Sequence, residues 1–509
     1  MVSRLCPPRS NTNHYPRVKN PALLWFRLDL RLADNPGLAA AIERGGVIVP
    51  VFIHAPEEEA PWSQGGASSW WLHQSLKSLD VSLRRLGSQL IIRRGPTLET
   101  IHTLLKETGA TAVFWNRRYE PAVIGRDTKV KDSLRQSGIE AGSFNAALLH
   151  EPWTIQNKSG KPFQVFTPFW KHCLTKSDPA EPLVAPRGLN TPSTWPKSLA
   201  LEALELEPKI KWAEGLRAAW QPGEAGAHGQ LKTFLKAASA TYSADRNRPD
   251  LTGTSRLSPH LHFGEISPRQ VWRAVAADVR RRIPVAKGVG LLTSAATGDW
   301  RSSQFLTEIG WREFAHHLLY HFPHTPTEPL REDFKKFPWR KDAAFLKAWQ
   351  KGQTGYPIVD AGMRELWTTG WMHNRVRMIV ASFLVKDLLI SWTEGARWFW
   401  DTLVDADLAQ NTSGWQWTAG CGADAAPYFR VFNPMSQGEK FDPHGDYVRK
   451  WCPELAKLPD KWLHRPWQSP ADVLARAGVV LDRNYPEPIV SHAIAREVAL
   501  EAFATLKGK

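Results

Sequence analysis

The sequence predicts a two-domain chain, in which an α/β domain with a doubly wound parallel sheet precedes an all-α domain. The chain has 509 residues, which is too many for a single hydrophobic core. In residues 21–150, short apolar runs alternate with helical stretches. From residue 231 onward, almost every segment has the period of a helix, and no repeat of fixed length is present. We therefore expect a compact helical domain after the sheet.

The α/β domain is predicted to span residues 21–150. Its apolar runs predict strands at Leu23–Phe26, Val47–Ile53, Leu90–Ile92, Ala112–Trp115 and Ile139–Phe144. Helices are predicted between them at Asn35–Glu43, Ser69–Leu86, Leu98–Glu107 and Arg126–Gln136. The turn after the first run, RLDLRLADNPGL, lacks the G-x-G-x-x-G pattern that cradles a pyrophosphate, so a nicotinamide-type site is not expected there. Another planar ligand could still bind at the carboxyl ends of the strands.

The segments on either side of this domain carry weaker patterns. Residues 151–230 are rich in proline and have only short helical signals, which predicts a long connector wrapped on the surface. Residues 1–20 contain Arg and Pro without an apolar core, so we expect a flexible tail rather than a secretory signal. No run of eighteen uncharged apolar residues could span a bilayer, and a cytoplasmic location without membrane contact is expected.

The helical domain is predicted to span residues 231–509. Its helical runs are Pro268–Arg281, Ser303–His321, Ala343–Lys351, Val359–Thr368, His373–Trp392 and Gly395–Leu403. The four cysteines are scattered without the short spacing of metal ligands, so no metal site is expected. The formal net charge of +15 favours a polyanionic partner such as nucleic acid, although a charge that serves solubility alone is an equal alternative.

The segment DADLAQNTSGWQW, residues 405–417, is the most informative stretch of the chain. Asp405 and Asp407 can pair with a cation, and the amide of Asn411 can face a heterocycle. A glycine turn is expected next, followed by the oxidisable rings of Trp415 and Trp417. This mixture predicts one wall of a redox-cofactor pocket that opens onto a flat aromatic substrate.

Two segments before it carry further polar clusters. In TGTSRLSP, the hydroxyls of Thr254, Ser255 and Ser258 suit a turn that binds phosphate, and a simple capping turn before a helix is the favoured alternative. In FLTEIGWREF, helical spacing places Glu308, Trp311 and Arg312 on one face, which could bind and stack a pyrimidine. A solvated Glu308–Arg312 ion pair is the alternative there.

Two later segments extend the pattern. In TGYPIVDAGMRELWTTGWMHNRVRMIV, we expect Trp371, Asn374 and Met378 on one helical face, and Arg377 within reach of Asp405. In APYFRVFNPMSQGEKFD, basic and amide side chains are interleaved with aromatic ones, which suits a nucleic-acid strand with a displaced base. The polar members are Arg430, Gln437 and Lys440, and the aromatic members are Tyr428, Phe429 and Phe432.

These motifs together resemble the photolyase/cryptochrome flavoproteins, and within them the bacterial cyclobutane pyrimidine dimer (CPD) photolyases. The resemblance runs from about Leu23 to the C-terminus and is dense from Thr254 to Pro453. It implies a Rossmann-like antenna domain, a connector and a helical domain that binds FAD non-covalently. The residues implied for the phosphates and ribityl chain are Tyr242, Thr254, Ser255, Leu257, Ser258 and Arg312. Those implied for the isoalloxazine and adenine are Asn374, Arg377, Asp405, Asp407 and Asn411, with Arg256 and Ala406 completing the cofactor set.

The resemblance also implies roles in electron transfer and DNA binding. Trp415, Trp392 and Trp339 match an electron-transfer chain that runs from the flavin to the surface. The implied DNA-binding residues are Arg246, Glu308, Trp311, Asn374, Arg375, Trp417, Arg430 and Gln437, with the two tryptophans flanking a flipped-out lesion. The implied catalytic residues are Glu308, Asn374, Met378 and Asn411, where Asn411 faces flavin N5. Excited, reduced flavin would give an electron to the dimer, whose cyclobutane bonds then break.

The resemblance leaves one main alternative, a cryptochrome-type blue-light photoreceptor. A (6-4) photolyase would carry His at the positions of Asn374 and Met378, and plant-type cryptochromes usually carry Asp at 411 and lack a Trp at 311. Phe305 departs from the Trp of many bacterial photolyases and leaves the subclass open.

An antenna chromophore is implied as well, and the acidic motif that some folate-binding relatives carry after the NRRYE-like stretch is replaced here by PAVIG. We expect methenyltetrahydrofolate rather than a deazaflavin. The expected partner is DNA containing pyrimidine dimers, bound by a monomer in the bacterial cytosol at the nucleoid, without an obligate protein partner.

Overall fold

The computed structural model describes residues 19–282, 301, 303–424 and 429–507. The predicted tail up to residue 18 and the aromatic residue Tyr428 lie outside these ranges. The described residues form an α/β domain and a helical domain, which confirms the predicted fold class.

The α/β domain is built on a five-stranded parallel sheet. The strands are β1 (Ala22–Phe26), β2 (Ile48–His54), β3 (Ile91–Arg94), β4 (Ala112–Asn116) and β5 (Glu140–Phe144), in the order β3-β2-β1-β4-β5. The helices between them are α1 (Pro36–Arg44), α2 (Gly66–Arg85), α3 (Thr97–Thr108) and α4 (Pro121–Gln136). Every element predicted for this domain is present, with bounds shifted by a few residues.

Strand β1 shows why these strands are continuously apolar. Leu23 and Trp25 pack into the core on one face of the sheet, whereas Leu24 and Phe26 pack into the core on the other face. Successive side chains of a strand point to opposite faces, so a sheet covered on both sides buries all of them. The core that contains Leu24 and Phe26 also includes Trp371 and Val404 of the helical domain, so this face of the sheet packs against that domain.

The connector is more ordered than its sequence suggests. It contains α5 (Phe166–Leu174) and α6 (Glu214–Ala219), and α7 (Glu224–Ala237) crosses the position at which the helical domain was expected to begin. Between α5 and α6 the chain follows the sheet, where Ile48 N donates to Asn190 O at 2.8 Å and Leu199 N donates to Ile92 O at 2.9 Å. Backbone hydrogen bonds therefore hold the proline-rich segment against the α/β domain.

The helical domain continues with fourteen further described α-helices. They are α8 (Tyr242–Asp245), α9 (Ser258–His262), α10 (Pro268–Arg282), α11 (Gln304–His321), α12 (Ala343–Lys351), α13 (Pro357–Thr369), α14 (Asn374–Ser382), α15 (Trp392–Thr402), α16 (Leu408–Ala419), α17 (Pro434–Phe441), α18 (Asp446–Trp451), α19 (Asp460–Leu463), α20 (Ala471–Ala477) and α21 (His492–Lys507). Among the described helices none is long and apolar enough to cross a membrane.

The predicted single helix His373–Trp392 is wrong. Helix α14 ends at Ser382 and is followed by a π-helical turn, Phe383–Asp387. Leu389 then adopts a left-handed backbone conformation, with φ of 53°, and the chain turns into α15. A leucine rarely adopts this conformation, because its Cβ crowds the following carbonyl, so the surrounding packing must impose the break. No Gly or Pro marks it in the sequence.

The glycine turn expected within residues 405–417 is also wrong. Helix α16 runs through Gly414 without interruption and ends at Ala419, after which Gly420 caps it in a left-handed conformation. A glycine inside a helix costs about 1 kcal/mol relative to alanine, which tertiary packing readily offsets. Asn411 and Trp415 therefore lie one turn apart on a single helix.

Candidate functional site

Helix α16 is the element around which the candidate site is assembled. It begins with Asp407 as N-cap, whose Oδ1 accepts a hydrogen bond from Gln410 N at 2.9 Å. Helices α11, α14 and α15 all pack against it. The amide of Asn411 is anchored to α15, because its Nδ2 donates to Ala396 O at 3.0 Å. The segment singled out in the sequence thus lies at the junction of four helices.

Arg377 and Asp405 form the ion pair that the sequence suggested. Nη2 of Arg377 donates to both carboxylate oxygens, at 3.1 and 2.8 Å, and its Nε donates to Met372 O at 2.8 Å. The Asp405 side chain is only 2% exposed, and that of Arg377 is 23% exposed. Such a pair is held in one geometry, because separating it would leave a buried charge without a partner.

Asp407 lies between two histidines. Its Oδ2 is 3.6 Å from Nδ1 of His262 and 3.5 Å from Nε2 of His316. Burial alone would raise the pKa of Asp407, but His316, His262 and Arg312 hold that pKa well below its usual value. Asp407 is therefore an ionised carboxylate at neutral pH. Neither histidine was singled out in the sequence, since they belong to α9 and α11 and carry no local pattern.

The hydroxyl-rich turn before α9 does not cap that helix in the usual way. Leu257 occupies the N-cap position, and none of the described side chains makes a capping hydrogen bond there. Arg256 has a φ of 52°, and its guanidinium lies 4.2 Å from the ring centre of Trp220 and 5.0 Å from that of Trp371. Gln230 Nε2 donates to Ser255 O at 2.9 Å and holds the turn. The favoured capping alternative is therefore not what the structure forms.

The residues around this turn fit a flavin dinucleotide. Hydroxyl donors and two guanidinium groups, of Arg256 and Arg312, are the donor set that a pyrophosphate requires. Nε of Arg256 and Nε2 of His373 are buried without a hydrogen-bond partner in the described part of the chain. Burial, Arg377 and Arg375 lower the pKa of His373 to about 4, so its ring is neutral. Buried donors of this kind usually have a partner, and a bound ligand would supply one.

The remaining residues of the implied cofactor set are dispersed among several surroundings. Tyr242 and Leu257 belong to a hydrophobic core shared with Phe305, and Ser258 is exposed. Arg312 donates from Nη1 to Ala147 O at 2.6 Å and so links α11 to the α/β domain. Arg312 does not form the alternative ion pair with Glu308 in the described part of the chain.

Glu308 instead pairs with Arg246, which follows helix α8. Nη1 of Arg246 contacts Oε1 of Glu308, and Nε2 of Gln304 donates to the same oxygen at 2.9 Å. One turn away, the Trp311 ring stacks on Phe166, with 3.7 Å between ring centres and an interplanar angle of 8°. A carboxylate, a guanidinium and a wide aromatic ring therefore surround one partly exposed position on α11.

Helix α14 carries three of the predicted site residues, Asn374, Arg375 and Met378. Trp371 lies outside this helix. Asn374 is exposed at the first turn, and Met378 lies half-buried one turn later. Arg375 donates to Asn247 Oδ1 from Nε at 3.2 Å and from Nη2 at 2.8 Å. The prediction that Trp371 shares this helical face is wrong, because the helix begins only after its N-cap His373.

Trp417 and Arg430 lie at a second edge of the site. Together with Phe429 and Lys386 they line a cavity of about 30 Å³. Lys386 donates to the backbone oxygen of Arg430. Burial and Arg430 lower the pKa of Lys386 to about 7. Gln437 lies on α17, half-buried, further along the same segment.

The three tryptophans of the implied electron-transfer chain lie on adjoining segments. Trp415 is buried against Phe399, with 5.0 Å between ring centres, and against Trp349, at 6.2 Å. Trp392 is the buried first residue of α15. Trp339 is half-buried and directly precedes Arg340, whose N donates to Leu389 O at 2.7 Å, three residues before Trp392. The contact of Trp349 with Trp415 has no signal in the sequence.

A cavity of about 210 Å³ lies between the two domains. Its walls include the rings of Trp62 and Trp400 and the side chains of Arg118 and Glu120. Ala406, which the resemblance assigned to the flavin site, lines this cavity. Ala406 therefore lies between this cavity and its chain neighbour Asp405, which pairs with Arg377.

The carboxyl ends of β1 and β4, where the strand order reverses, hold charged side chains. Arg27 follows β1, and its Nη1 pairs with Asp127 Oδ2 at 2.5 Å. Asn116, at the end of β4, donates from Nδ2 to Asp29 Oδ2 at 2.6 Å. The position at which doubly wound sheets commonly bind ligands is therefore filled by a network of the protein's own side chains.

Comparison with known proteins identifies the family. The family model for the FAD binding domain of DNA photolyase matches residues 305–505, and that for DNA photolyase matches residues 22–187. The deoxyribodipyrimidine photo-lyase of Agrobacterium fabrum is 49% identical over 96% of this chain and 98% of its own length. Cryptochrome-1 of Arabidopsis thaliana is 43% identical over 92% of this chain and 68% of its own length. The crystal structure of a bacterial class III photolyase from Agrobacterium tumefaciens superposes with a TM-score of 0.91, at 47% identity, over 97% of this chain and 99% of that one. The chain therefore belongs to the photolyase/cryptochrome family.

Proposed function

We propose that this protein is a deoxyribodipyrimidine photo-lyase that splits cyclobutane pyrimidine dimers in DNA in a light-dependent reaction. The observation that carries the proposal is the arrangement on α11, where the carboxylate of Glu308 and the ring of Trp311 lie one turn apart beside Arg246. A flipped-out pyrimidine dimer needs an aromatic surface to stack on, a polar group for its edge and a cation for the strand.

We propose that FAD binds between the turn before α9 and helices α11, α14 and α16. Arg256, Arg312 and the hydroxyls of Thr254, Ser255 and Ser258 would hold the phosphates and ribityl chain, with Tyr242 and Leu257 beside them. When bound and reduced, FAD supplies the absorption of light and the electron for repair. The Arg377–Asp405 pair, Asp407 and Asn411 would orient the ring system, and Trp339, Trp392 and Trp415 would deliver electrons from the surface.

On the substrate side, Trp311 and Trp417 would flank the dimer. Glu308 and Asn374 would bind the pyrimidine edges, where negative charge develops, and Met378 would pack beside them. Arg246, Arg375, Arg430 and Gln437 would bind the strand. We propose that residues 21–150 form the antenna domain, 151–230 the connector and 231–509 the catalytic domain of a monomer that acts on DNA in the bacterial cytosol.

For the antenna chromophore we propose methenyltetrahydrofolate in the interdomain cavity. The indole ring of Trp62 or of Trp400 can stack on its pterin, and the carboxylates of Glu59 and Glu120 can accept hydrogen bonds from the pterin N–H groups. The guanidinium of Arg118 pairs with both of these carboxylates and orients them. Filling of the β1/β4 crevice by Arg27, Asn116 and Asp127 disfavours a deazaflavin there. Trp400→Ala should lose the folate from the purified protein while retaining flavin, which absorption spectra of the variant and the wild type would measure.

The decisive experiment uses the chemically reduced protein and a single-stranded thymine oligonucleotide that carries a dimer. Under blue light the dimer should disappear, and in the dark it should persist. A photoreceptor of the cryptochrome type would bind flavin and respond to light without repairing the oligonucleotide. The absence of light-dependent repair by reduced protein would therefore reject the proposal in favour of that alternative.

A further inference from the structure

Glu308 is held from two sides by groups of different kinds. Gln304 lies one turn earlier on the same helix, and its Nε2 donates to Oε1 at 2.9 Å. Arg246 lies in a different segment, and its Nη1 contacts the same oxygen. Among the described residues, Oε2 of Glu308 makes no hydrogen bond. The carboxylate is thus oriented through one oxygen, and the other is available to a substrate.

The two groups should respond differently to a DNA strand. Arg246 is cationic and partly exposed, so a phosphate attracts it strongly and competes with Glu308 for its guanidinium when the strand binds. Gln304 is neutral and fixed to the backbone of the same helix as Glu308. A phosphate therefore has little effect on the contact between Gln304 and Glu308.

We propose that Gln304 is a positioning residue, which holds Oε1 of Glu308 when a DNA phosphate engages Arg246, so that Oε2 meets the pyrimidine. This inference rests on the proposed repair function. It assigns to Gln304 a part in the chemical step and none in binding the strand. Arg246 then links strand binding to release of the carboxylate, because it contacts Glu308 only until the phosphate arrives.

The first test compares Gln304→Leu with Thr307→Val in the full-length, flavin-loaded protein. Leu keeps the volume of Gln and removes its donor. Thr307 lies in the same first turns of α11, but its hydroxyl donates to Ser303 O and does not contact Glu308. Gln304→Leu should lower the number of dimers repaired per absorbed photon by about two- to threefold, because a positioned polar contact is lost. Affinity for the dimer-bearing oligonucleotide, measured by fluorescence anisotropy, should stay within about twofold for both variants.

A second variant, Gln304→Glu, tests the role through the pH dependence of the repair yield, which a merely structural residue would not alter. Two carboxylates at this spacing raise the pKa of one of them, since they cannot both be ionised without repulsion. The repair yield of Gln304→Glu should therefore rise as the pH falls from about 8 to about 5, when one proton restores a donor between the two side chains. The wild type and Thr307→Val should not show this added rise.

The outcomes separate the inference from the proposed function. If the wild type does not repair dimers in light, the proposed function fails. If the wild type repairs and Gln304→Leu repairs with equal yield, the positioning role is refuted. A parallel loss of affinity and yield in Gln304→Leu would also refute it, since Gln304 would then support the strand-binding surface. If Gln304→Leu does not fold, the pH profile of Gln304→Glu decides, and a profile like that of the wild type would reject the role.

Discussion

Nη2 of Arg377 bridges both carboxylate oxygens of Asp405, which connects the first turns of α14 to the loop before α16. The two residues are 28 positions apart in the chain. Because Asp405 is buried, the pair fixes the relative position of two helices that carry most of the proposed flavin contacts. Removing one partner of such a buried pair strongly destabilises the protein, whereas replacing both partners by apolar residues of similar volume often changes the stability little.

Arg377→Met should therefore destabilise the protein by about 3–5 kcal/mol, because the Asp405 carboxylate loses its cation. Urea unfolding would measure the free energy, and the absorbance of the purified variant should show loss of FAD. Arg397→Met is the matched control, since Arg397 forms an exposed pair with Glu394 that should contribute less than about 1 kcal/mol. Equal stability of the two variants would contradict a structural role of the buried pair.

Trp415→Phe should abolish photoreduction of oxidised flavin, because a phenyl ring is much harder to oxidise than an indole. Repair by protein that has been reduced chemically should persist, since the proposed substrate contacts do not include Trp415. Absorbance changes under blue light measure the first property, and dimer repair measures the second. Trp115→Phe in the α/β sheet is the control, and photoreduction as fast in Trp415→Phe as in that control would exclude the proposed route.

Gly395 allows the Trp415 ring to lie directly against α15. A Cβ at position 395 would lie 2.0 Å from Cη2 of Trp415, so the ring or the helix must move. Gly395→Ala should cost about 1–3 kcal/mol in the free energy of unfolding. Gly414→Ala, on the exposed side of α16 with no atom of the described residues within 4 Å of the added Cβ, should instead stabilise by about 0.5–1 kcal/mol. Thermal unfolding of both variants checks the opposite signs.

Glu313 should make the stability depend on pH. Its burial raises the pKa from the ordinary 4.5 to about 7, although Leu149 N and His150 N donate to the carboxylate. Between these values the folded protein holds a proton that the unfolded chain releases, so the stability contributed by this proton is complete below pH 4.5 and is lost as the pH rises through about 7. The slope should reach at most about 1.4 kcal/mol per pH unit.

Glu313→Gln removes this titration and keeps an acceptor for the two backbone groups. The variant should gain stability relative to the wild type as the pH rises from about 5 to about 8, as urea unfolding at several pH values would measure. Glu332→Gln, at an exposed position, should follow the wild type throughout. A constant difference between Glu313→Gln and the wild type over this range would show that Glu313 does not titrate there.

Arg375→Gln should weaken the binding of damaged and undamaged DNA equally. The Arg375 guanidinium is held by Asn247 and lies 4.5 Å from the ring centre of Phe441, which presents it as a fixed cation. Its loss should lower the affinity for damaged and undamaged strands alike and reduce the salt dependence of binding by about one charge. Titrations at several salt concentrations measure the slope, with Arg397→Gln as the control. A loss confined to damaged DNA would assign Arg375 to the lesion instead.

Much of the architecture could be predicted because it follows from local periodicity. The strand Leu23–Phe26 is apolar at every position, and Pro268–Arg281 repeats with a helical period, so neighbouring residues alone define these elements. The errors fall where distant packing overrides local preference. Leu389 breaks the predicted helix without any breaker residue, and Gly414 continues a helix despite its low propensity. In both places the neighbouring helices determine the backbone, and their identity cannot be inferred from the segment itself.

The sequence by itself determined the fold class, the order of the elements and the side chains that carry chemistry, including Asp405, Asn411 and Glu308. Only the tertiary structure decided which of these side chains meet. Glu308 contacts Arg246, 62 residues away, rather than Arg312 one turn along its own helix. Asp407 lies between His262 and His316, which come from two other helices. Helical spacing specifies only neighbours three or four residues apart, whereas these contacts depend on how whole helices pack.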